Sequence, residues 1–143
     1  MNILLVNDKR YTEPFVKYLV KVVKQEVLAN YNELEMAPFA EMLEKLEIKT
    51  TPRLVVQKAV EAITYEKIDN TKEKGFNIII DDKKTFNGKY KIIDLVNLMD
   101  SGNTEMPPIP LFSNAFKDVE KDIDNYYRLY ELGVGLFYEY LPL

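Results

Sequence analysis

The spacing of apolar residues predicts helices over much of the N-terminal half. Apolar side chains recur three or four positions apart from Phe15 onwards, and lysines fall on the opposite side. This period matches one face of an α-helix, so we expect a helix over 13–30. A shorter helix is expected to open at Pro38, and a third to span 52–64 behind a Thr-Thr-Pro capping sequence.

Two short segments predict an antiparallel hairpin. Phe76–Ile80 is the clearest strand, and 64–68 precedes it across a polar turn at Asp69–Gly75. Pairing these two segments is the most economical arrangement, because only a short turn separates them. Met1–Val6 is a further apolar run that is expected to form an edge strand.

The C-terminal half predicts two further helices around a proline-rich segment. Asn87-Gly88 marks a turn, and the helix after it is expected to end at Gly102. The final helix is expected to begin after Pro110. Its apolar residues alternate steps of four and three: Phe112, Phe116, Val119, Ile123, Tyr126 and Tyr130. This narrow seam suits packing along another helix, and its shortness favours a helix of the same chain over one of a partner.

Together these elements predict a single α+β domain over residues 1–143. We expect a small antiparallel sheet or hairpin packed against several helices, with long N- and C-terminal helices. Residues 134–143, here called the tail, are largely apolar or aromatic. A chain of 143 residues buries roughly two-thirds of its unfolded surface, which suffices for a packed core.

Composition limits the classes of function. The chain has a net charge of −4, and tight binding of duplex DNA requires clustered Lys and Arg, which the sequence does not show. DNA can nevertheless slide past a mildly acidic wall. The absence of Cys excludes disulfides and thiolate zinc sites, and the absence of His removes the commonest general base. No apolar run is long enough for a signal peptide or a membrane span, so we expect a soluble protein made in a cytoplasm.

Asp81 and Asp82 are the strongest candidates for chemistry. They directly follow the Phe76–Ile80 strand, and carboxylates at a strand end can hold Mg²⁺ for phosphoryl transfer. A nuclease would also need an acid-x-Lys pair on a neighbouring strand, which is missing, so a solvated turn is the favoured interpretation. We therefore predict no catalytic residue, no cofactor and no metal ligand, and expect the chain not to be an enzyme.

Residues 100–116, here called the connector, form the most informative segment. They stop one helix at a glycine, run extended through three prolines and start another helix. Proline fixes φ at about −65° and pushes the preceding residue towards extended geometry. The connector is therefore predicted to be semi-rigid. It would serve either as a surface that docks on a neighbour or as an internal loop that crosses the edge of the core.

The connector resembles the signature of a phage protein family. An acidic residue, a spacer, Gly and a small polar residue precede a Met-Pro-rich segment and an aromatic helix start. The matching residues are Asp100, Gly102, Asn103, Met106, Pro107, Pro108, Pro110, Leu111, Phe112 and Ala115. In these features the chain is similar to the siphophage tail-completion or head–tail joining proteins, also described as minor tail components. Thr51-Pro52-Arg53-Leu54 is similar to the Thr-Gly-Arg-Leu segment of that family, with Pro52 in place of Gly.

This resemblance implies an architectural function in the virion. Such proteins belong to the ring stack of the neck, which joins the DNA-filled head to the tail around the DNA channel. The resemblance implies a homo-oligomeric ring of six or twelve copies in contact with neighbouring neck and tail proteins. DNA would pass without sequence-specific binding, and no membrane would be involved. The expected location is the head–tail interface of the virion, after synthesis in the bacterial cytoplasm.

The residues expected to bind partners lie in the connector and in the tail. They are Gly102, Asn103, Met106, Pro107, Pro108, Pro110, Phe112, Phe137, Tyr138 and Tyr140. The tail can add main-chain hydrogen bonds to a sheet edge of a neighbour while it buries aromatic side chains. Two other functions stay open, namely a phage-encoded module that inhibits a host protein and a metal-dependent enzyme built on Asp81 and Asp82.

Overall fold

The computed structural model describes residues 1–31 and 35–133. Within these ranges the helices are α1 (Glu13–Tyr31), α2 (Ala37–Lys45), α3 (Pro52–Glu61), α4 (Ile92–Ser101), α5 (Leu111–Lys121) and α6 (Ile123–Glu131). The strands are β1 (Ile3–Val6), β2 (Ile63–Asp69), β3 (Lys74–Ile80), β4 (Thr85–Phe86) and β5 (Tyr90–Lys91). This mixture of helices with small antiparallel sheets confirms the predicted α+β fold class.

The main sheet has three antiparallel strands in the order β1-β3-β2. Strands β2 and β3 form the predicted hairpin, with Ile63 opposite Ile80 and Asp69 opposite Lys74. Strand β1 pairs with the other side of β3, where Leu5 faces Phe76, so the predicted edge strand is confirmed. The N-terminus is therefore joined to a segment some seventy residues later in the chain.

One face of this sheet is covered by helices, and no described helix covers the other. On the covered face the alternate β3 residues Phe76, Ile78 and Ile80 are buried, as the period of two along a strand requires. Helix α1 packs on β2 and β3, and α5 packs on β1. The strand residues of the opposite face are all exposed or half-buried: Leu4, Val6, Thr64, Glu66, Ile68, Gly75, Asn77 and Ile79.

Helix α1 forms the centre of the helical layer, with contacts to α3, α5 and α6. Its bounds match the predicted helix over 13–30. The apolar seam of the C-terminal segment packs within the chain, because Phe112, Phe116, Val119 and Ile123 are buried. The intramolecular interpretation of that seam is therefore confirmed.

The C-terminal segment consists of two consecutive helices where the sequence pattern predicted one. Asp122 separates them with φ −107° and ψ 17°, outside helical geometry. Its main-chain oxygen accepts a hydrogen bond from the Tyr126 nitrogen at 3.0 Å, which opens α6. The apolar spacing continues across this break, so periodicity alone does not reveal it.

The helix cap at Thr51 and the turn at Asn87-Gly88 are present where the sequence predicted them. The Thr51 hydroxyl accepts a hydrogen bond from the Leu54 nitrogen at 3.2 Å and caps α3, which Pro52 begins. Asn87 and Gly88 both have positive φ, as type I′ turns require, and join β4 to β5. The turn was predicted, but the two short strands beside it were not. No described helix is long and apolar enough to cross a membrane.

Candidate functional site

The connector is anchored at its start by Asp100 on the last turn of α4. The two carboxylate oxygens of Asp100 accept hydrogen bonds from the main-chain nitrogens of Phe112 at 3.1 Å and Ser113 at 2.9 Å. These nitrogens belong to the first turn of α5, where main-chain N–H groups have no partner within the helix. Asp100 therefore caps a helix that begins eleven residues later and closes the connector into a loop.

Gly102 and Asn103 fix the turn that follows α4. Gly102 has φ 66°, and a Cβ atom added to it would lie 2.5 Å from the Met106 oxygen, so only glycine fits. The Asn103 side-chain oxygen accepts hydrogen bonds from the nitrogens of Glu105 and Met106, both at 2.9 Å. The Asn103 nitrogen donates to the Met106 oxygen at 2.9 Å. These three hydrogen bonds within the connector hold the turn.

The middle of the connector is divided into an inner side and an outer side. Met106 and Ile109 point into the core, with 2% and 6% of their surface exposed, and the Ile109 nitrogen donates to the Met99 oxygen at 2.8 Å. Pro107 and Pro108 lie between them and are exposed. The two prolines therefore form a small apolar ridge on a backbone that is fixed at both sides.

Helix α2 also contacts the connector, in addition to α4 and α5. The Asn103 side-chain nitrogen donates to the Met42 sulfur at 3.9 Å, and the Lys45 ammonium lies 3.2 Å from a Glu105 carboxylate oxygen. The ion pair is exposed at both ends, so its contribution to stability is small. Its position nevertheless ties the outer surface of the connector to the surface of α2.

The electrostatics of Asp100 follow from its burial. Only 7% of its surface is exposed, and burial raises the pKa of its carboxyl group from 3.8 to about 6. The hydrogen bonds from Phe112 and Ser113 act in the opposite direction, because they stabilise the anion. The amino group of Met1 also lowers this pKa, by a smaller amount.

The structure gives the predicted partner-binding residues different positions. Asn103, Pro107 and Pro108 are exposed, and Gly102 and Pro110 are half-buried. Phe137, Tyr138 and Tyr140 lie outside the described residues. Within residues 1–31 and 35–133, the exposed part of the predicted surface is thus limited to the outer side of the connector.

The roles predicted for Met106 and Phe112 need correction. Both side chains are buried in the core of the chain itself, with 2% and 0% of their surface exposed, so they offer no area to a partner. The cause is tertiary docking, since the connector lies across α2 and α4 and turns alternate residues inwards. The inner side of the connector is therefore an internal loop that crosses the edge of the core, whereas docking on a neighbour stays a prediction for the outer side.

Asp100 is the important residue that the predicted site omitted. The sequence did hold a signal for it, because Pro110 precedes α5 and a proline side chain cannot accept hydrogen bonds from the first turn. A helix start without a local cap requires an acceptor from elsewhere. The nearest acidic residue across the predicted loop is Asp100, or else Glu105 within it.

Asp81 and Asp82 lie in a turn, as the favoured interpretation proposed. The Asp81 carboxylate accepts a hydrogen bond from the Lys83 nitrogen at 2.9 Å and so stabilises the turn itself. Among the described residues, no three Asp, Glu, His or Cys side chains are grouped to hold a metal ion.

The fold and the site define a small α+β domain that presents a rigid, proline-bearing loop. Comparisons with known protein families, with curated proteins and with solved structures found no match for this chain.

Proposed function

We propose that this chain is a structural subunit of the neck of a siphophage, where it joins the DNA-filled head to the tail. The single observation that carries the proposal is the outer side of the connector. Asn103, Pro107 and Pro108 are exposed on a backbone whose turn and both ends are fixed by hydrogen bonds. These same residues belong to the segment that resembles the head–tail joining family.

Rigidity is the property that makes this surface suitable for assembly. A contact surface that is ordered before binding loses little conformational entropy when the contact forms. In a ring, each added subunit then binds at a high effective concentration, so weak contacts become collectively strong. A head-to-tail contact between copies closes such a ring when its rotation permits.

The charge of the chain is compatible with a DNA channel. With 23 acidic and 19 basic residues, the chain repels phosphate mildly and does not retain it. A genome that must slide through the ring during packaging and ejection requires this behaviour. Tight, sequence-specific binding would hinder that movement.

The direct test is electron microscopy of a phage that encodes this chain and carries a null mutation in its gene. We expect DNA-filled heads that lie apart from tails, or tails of aberrant length. Intact infectious particles would overturn the proposal and favour the host-inhibitor function, which predicts a one-to-one complex with a host protein.

A complementation series connects this phenotype to the connector. Pro107→Glu places a charge on the ridge, and we expect the variant to fold but to restore fewer infectious particles than the unaltered gene. The matched control is Thr71→Glu, which puts the same charge on the exposed β2–β3 turn. Equal complementation by the two variants would exclude the ridge as a contact surface.

A further inference from the structure

The two outer edges of the three-stranded sheet differ in chemistry. Strands β1 and β2 are the outer strands, and no other described strand pairs with either of them. Strand β2 carries the exposed charges Glu66, Lys67 and Asp69, which discourage pairing with another chain. Strand β1 has the sequence Ile-Leu-Leu-Val, without charge or proline. The β1 edge is short, but it therefore lacks the charges and prolines by which edge strands avoid association.

Main-chain groups of β1 are also directed outwards. In an antiparallel pair, alternate residues exchange hydrogen bonds with the partner, and the residues between them direct theirs to the other side. The Asn7 nitrogen donates to the Lys74 oxygen at 3.0 Å, so Asn7, Leu5 and Ile3 are the residues bonded to β3. The N–H and C=O groups of Leu4 consequently point away from β3. Leu4 is 47% exposed, so this position is accessible.

The surroundings of this edge can receive side chains on both faces. Leu4 lies on the sheet face that no described helix covers. Close to the start of β1 is a groove of about 400 Å³. Met1 and Asn2 line it from the strand side, and Phe116 and Lys117 line it from α5. An extended segment beside β1 would therefore have Leu4 and Val6 of the uncovered face on one side and a groove on the other, an arrangement that suits recognition by strand addition.

We propose that the outer edge of β1 binds the tail of a neighbouring copy as an added strand. The segment 136–141 alternates two sets of side chains, Leu136, Tyr138 and Tyr140 on one face and Phe137, Glu139 and Leu141 on the other. Glu139 is the only charged residue of this segment, so the segment can lie beside an edge strand that has no charged partner to offer. Pro142 lacks an N–H group and ends the pairing there.

A neighbouring copy is the occupant that the proposed function requires. A contact between different sites on two copies is the type that builds rings, so this inference rests on the proposed function for its choice of occupant and for its biological role.

Disulfide trapping tests this contact, because the chain has no cysteine of its own. Leu4→Cys and Tyr138→Cys are made as separate single variants and mixed at high protein concentration in a thiol–disulfide buffer. Adjacent strands bring the two Cα atoms within the range that a disulfide spans, about 4.4–6.8 Å. The control mixture pairs Tyr138→Cys with Ile68→Cys, a half-buried residue of the same sheet face on β2.

We expect at least about tenfold more mixed dimer from the Leu4 pair than from the control pair, since docking raises the effective concentration of the thiols. Equal yields would overturn the proposal. Dimers that form only between two Leu4→Cys chains would replace it with pairing of β1 strands. A cross-link confined to single chains of the double variant would assign the tail to its own sheet. The phage null mutation tests the neck function independently, so failure of the two proposals can be distinguished.

Discussion

Asp100 combines two opposing effects at a single residue. Moving a carboxylate away from water destabilises its charged form, and this effect raises its pKa to about 6. The same carboxylate accepts hydrogen bonds from two nitrogens at the start of α5, which would otherwise be unpaired. Folding therefore favours the protonated carboxyl group, although the charged form is the better helix cap.

The raised pKa predicts how stability depends on pH. A carboxyl group that binds its proton more tightly in the folded state contributes most below its unfolded pKa of 3.8, and this contribution is lost as pH rises through about 6. We expect the loss to reach up to about 3 kcal/mol of unfolding free energy. Asp100→Asn removes the titration. The unfolding free energy of the wild type, relative to that of Asp100→Asn, should therefore be larger at pH 4 than at pH 7, as measured by urea denaturation.

Comparison with the variant is needed because other carboxylates act in the opposite direction. The pKa of Asp8 is lowered by its hydrogen bonds to Arg10, so that pair loses stability in acid. Both proteins retain Asp8, and its effect cancels in the difference. A difference that stays constant between pH 4 and pH 7 would show that burial does not raise the pKa of Asp100.

Gly102 provides a second prediction at the residue scale. In Gly102→Ala the new Cβ would meet the Met106 oxygen at 2.5 Å and the Pro108 nitrogen at 2.7 Å. We expect a loss of about 2–4 kcal/mol of unfolding free energy, which combines backbone strain with displacement of the connector. Gly88→Ala is the matched control, since Gly88 has a similar φ of 69° but no atom within 4 Å of the added Cβ. Equal losses in urea denaturation would show that the connector accommodates the methyl group.

At the scale of elements, local patterns could be predicted and long-range ones could not. Helix α1 and the β2–β3 hairpin follow from periodicity and turn residues within a few positions of each other. The inward direction of Met106 depends on the docking of the connector against α2 and α4, which no local pattern encodes. The Asp100 cap likewise joins residues on two different helices. The sequence therefore singled out the connector as a segment but did not separate its inner side from its outer side, and its role as a binding site stays a prediction.

Arg10 links helix α6 to the loop after β1, in addition to the aromatic contacts between α6 and α1. Arg10 lies 2.9 Å from an Asp8 carboxylate oxygen and 2.6 Å from an Asp124 oxygen. Its guanidinium group also lies 5.5 Å from the centroid of the Tyr127 ring. The loop after β1 is thereby joined to the first turns of α6.

Arg10→Met keeps an unbranched side chain of similar length and removes these interactions. We expect faster hydrogen exchange in the amides of α6 and a lower melting temperature, while exchange in β2 and β3 stays unchanged. The control is Arg53→Met at an exposed position on α3. Unchanged exchange in α6 would mean that its aromatic contacts with α1 suffice to hold it.

At the scale of the whole molecule, the described residues already form one continuous core. Buried apolar side chains from β1 to α6 belong to a single cluster. A chain that ends at Gly133 is therefore expected to fold with an unchanged melting temperature, measured by circular dichroism. The same truncation should remove the contact with a neighbouring β1 and weaken assembly. Unfolding of the truncated chain would instead make the tail part of the core.

The order of synthesis gives the pairing of β1 with β3 a further consequence. Strand β1 leaves the ribosome first, but Ile3 faces Ile78, which is made seventy-five residues later. At typical elongation rates this interval lasts on the order of ten seconds, during which the apolar strand has no partner. Strands β2 and β3 can pair as soon as both are made, because a short turn joins them. The N-terminal strand is therefore expected to join the sheet late. On a polysome, many nascent chains then hold their unpaired β1 strands close to one another.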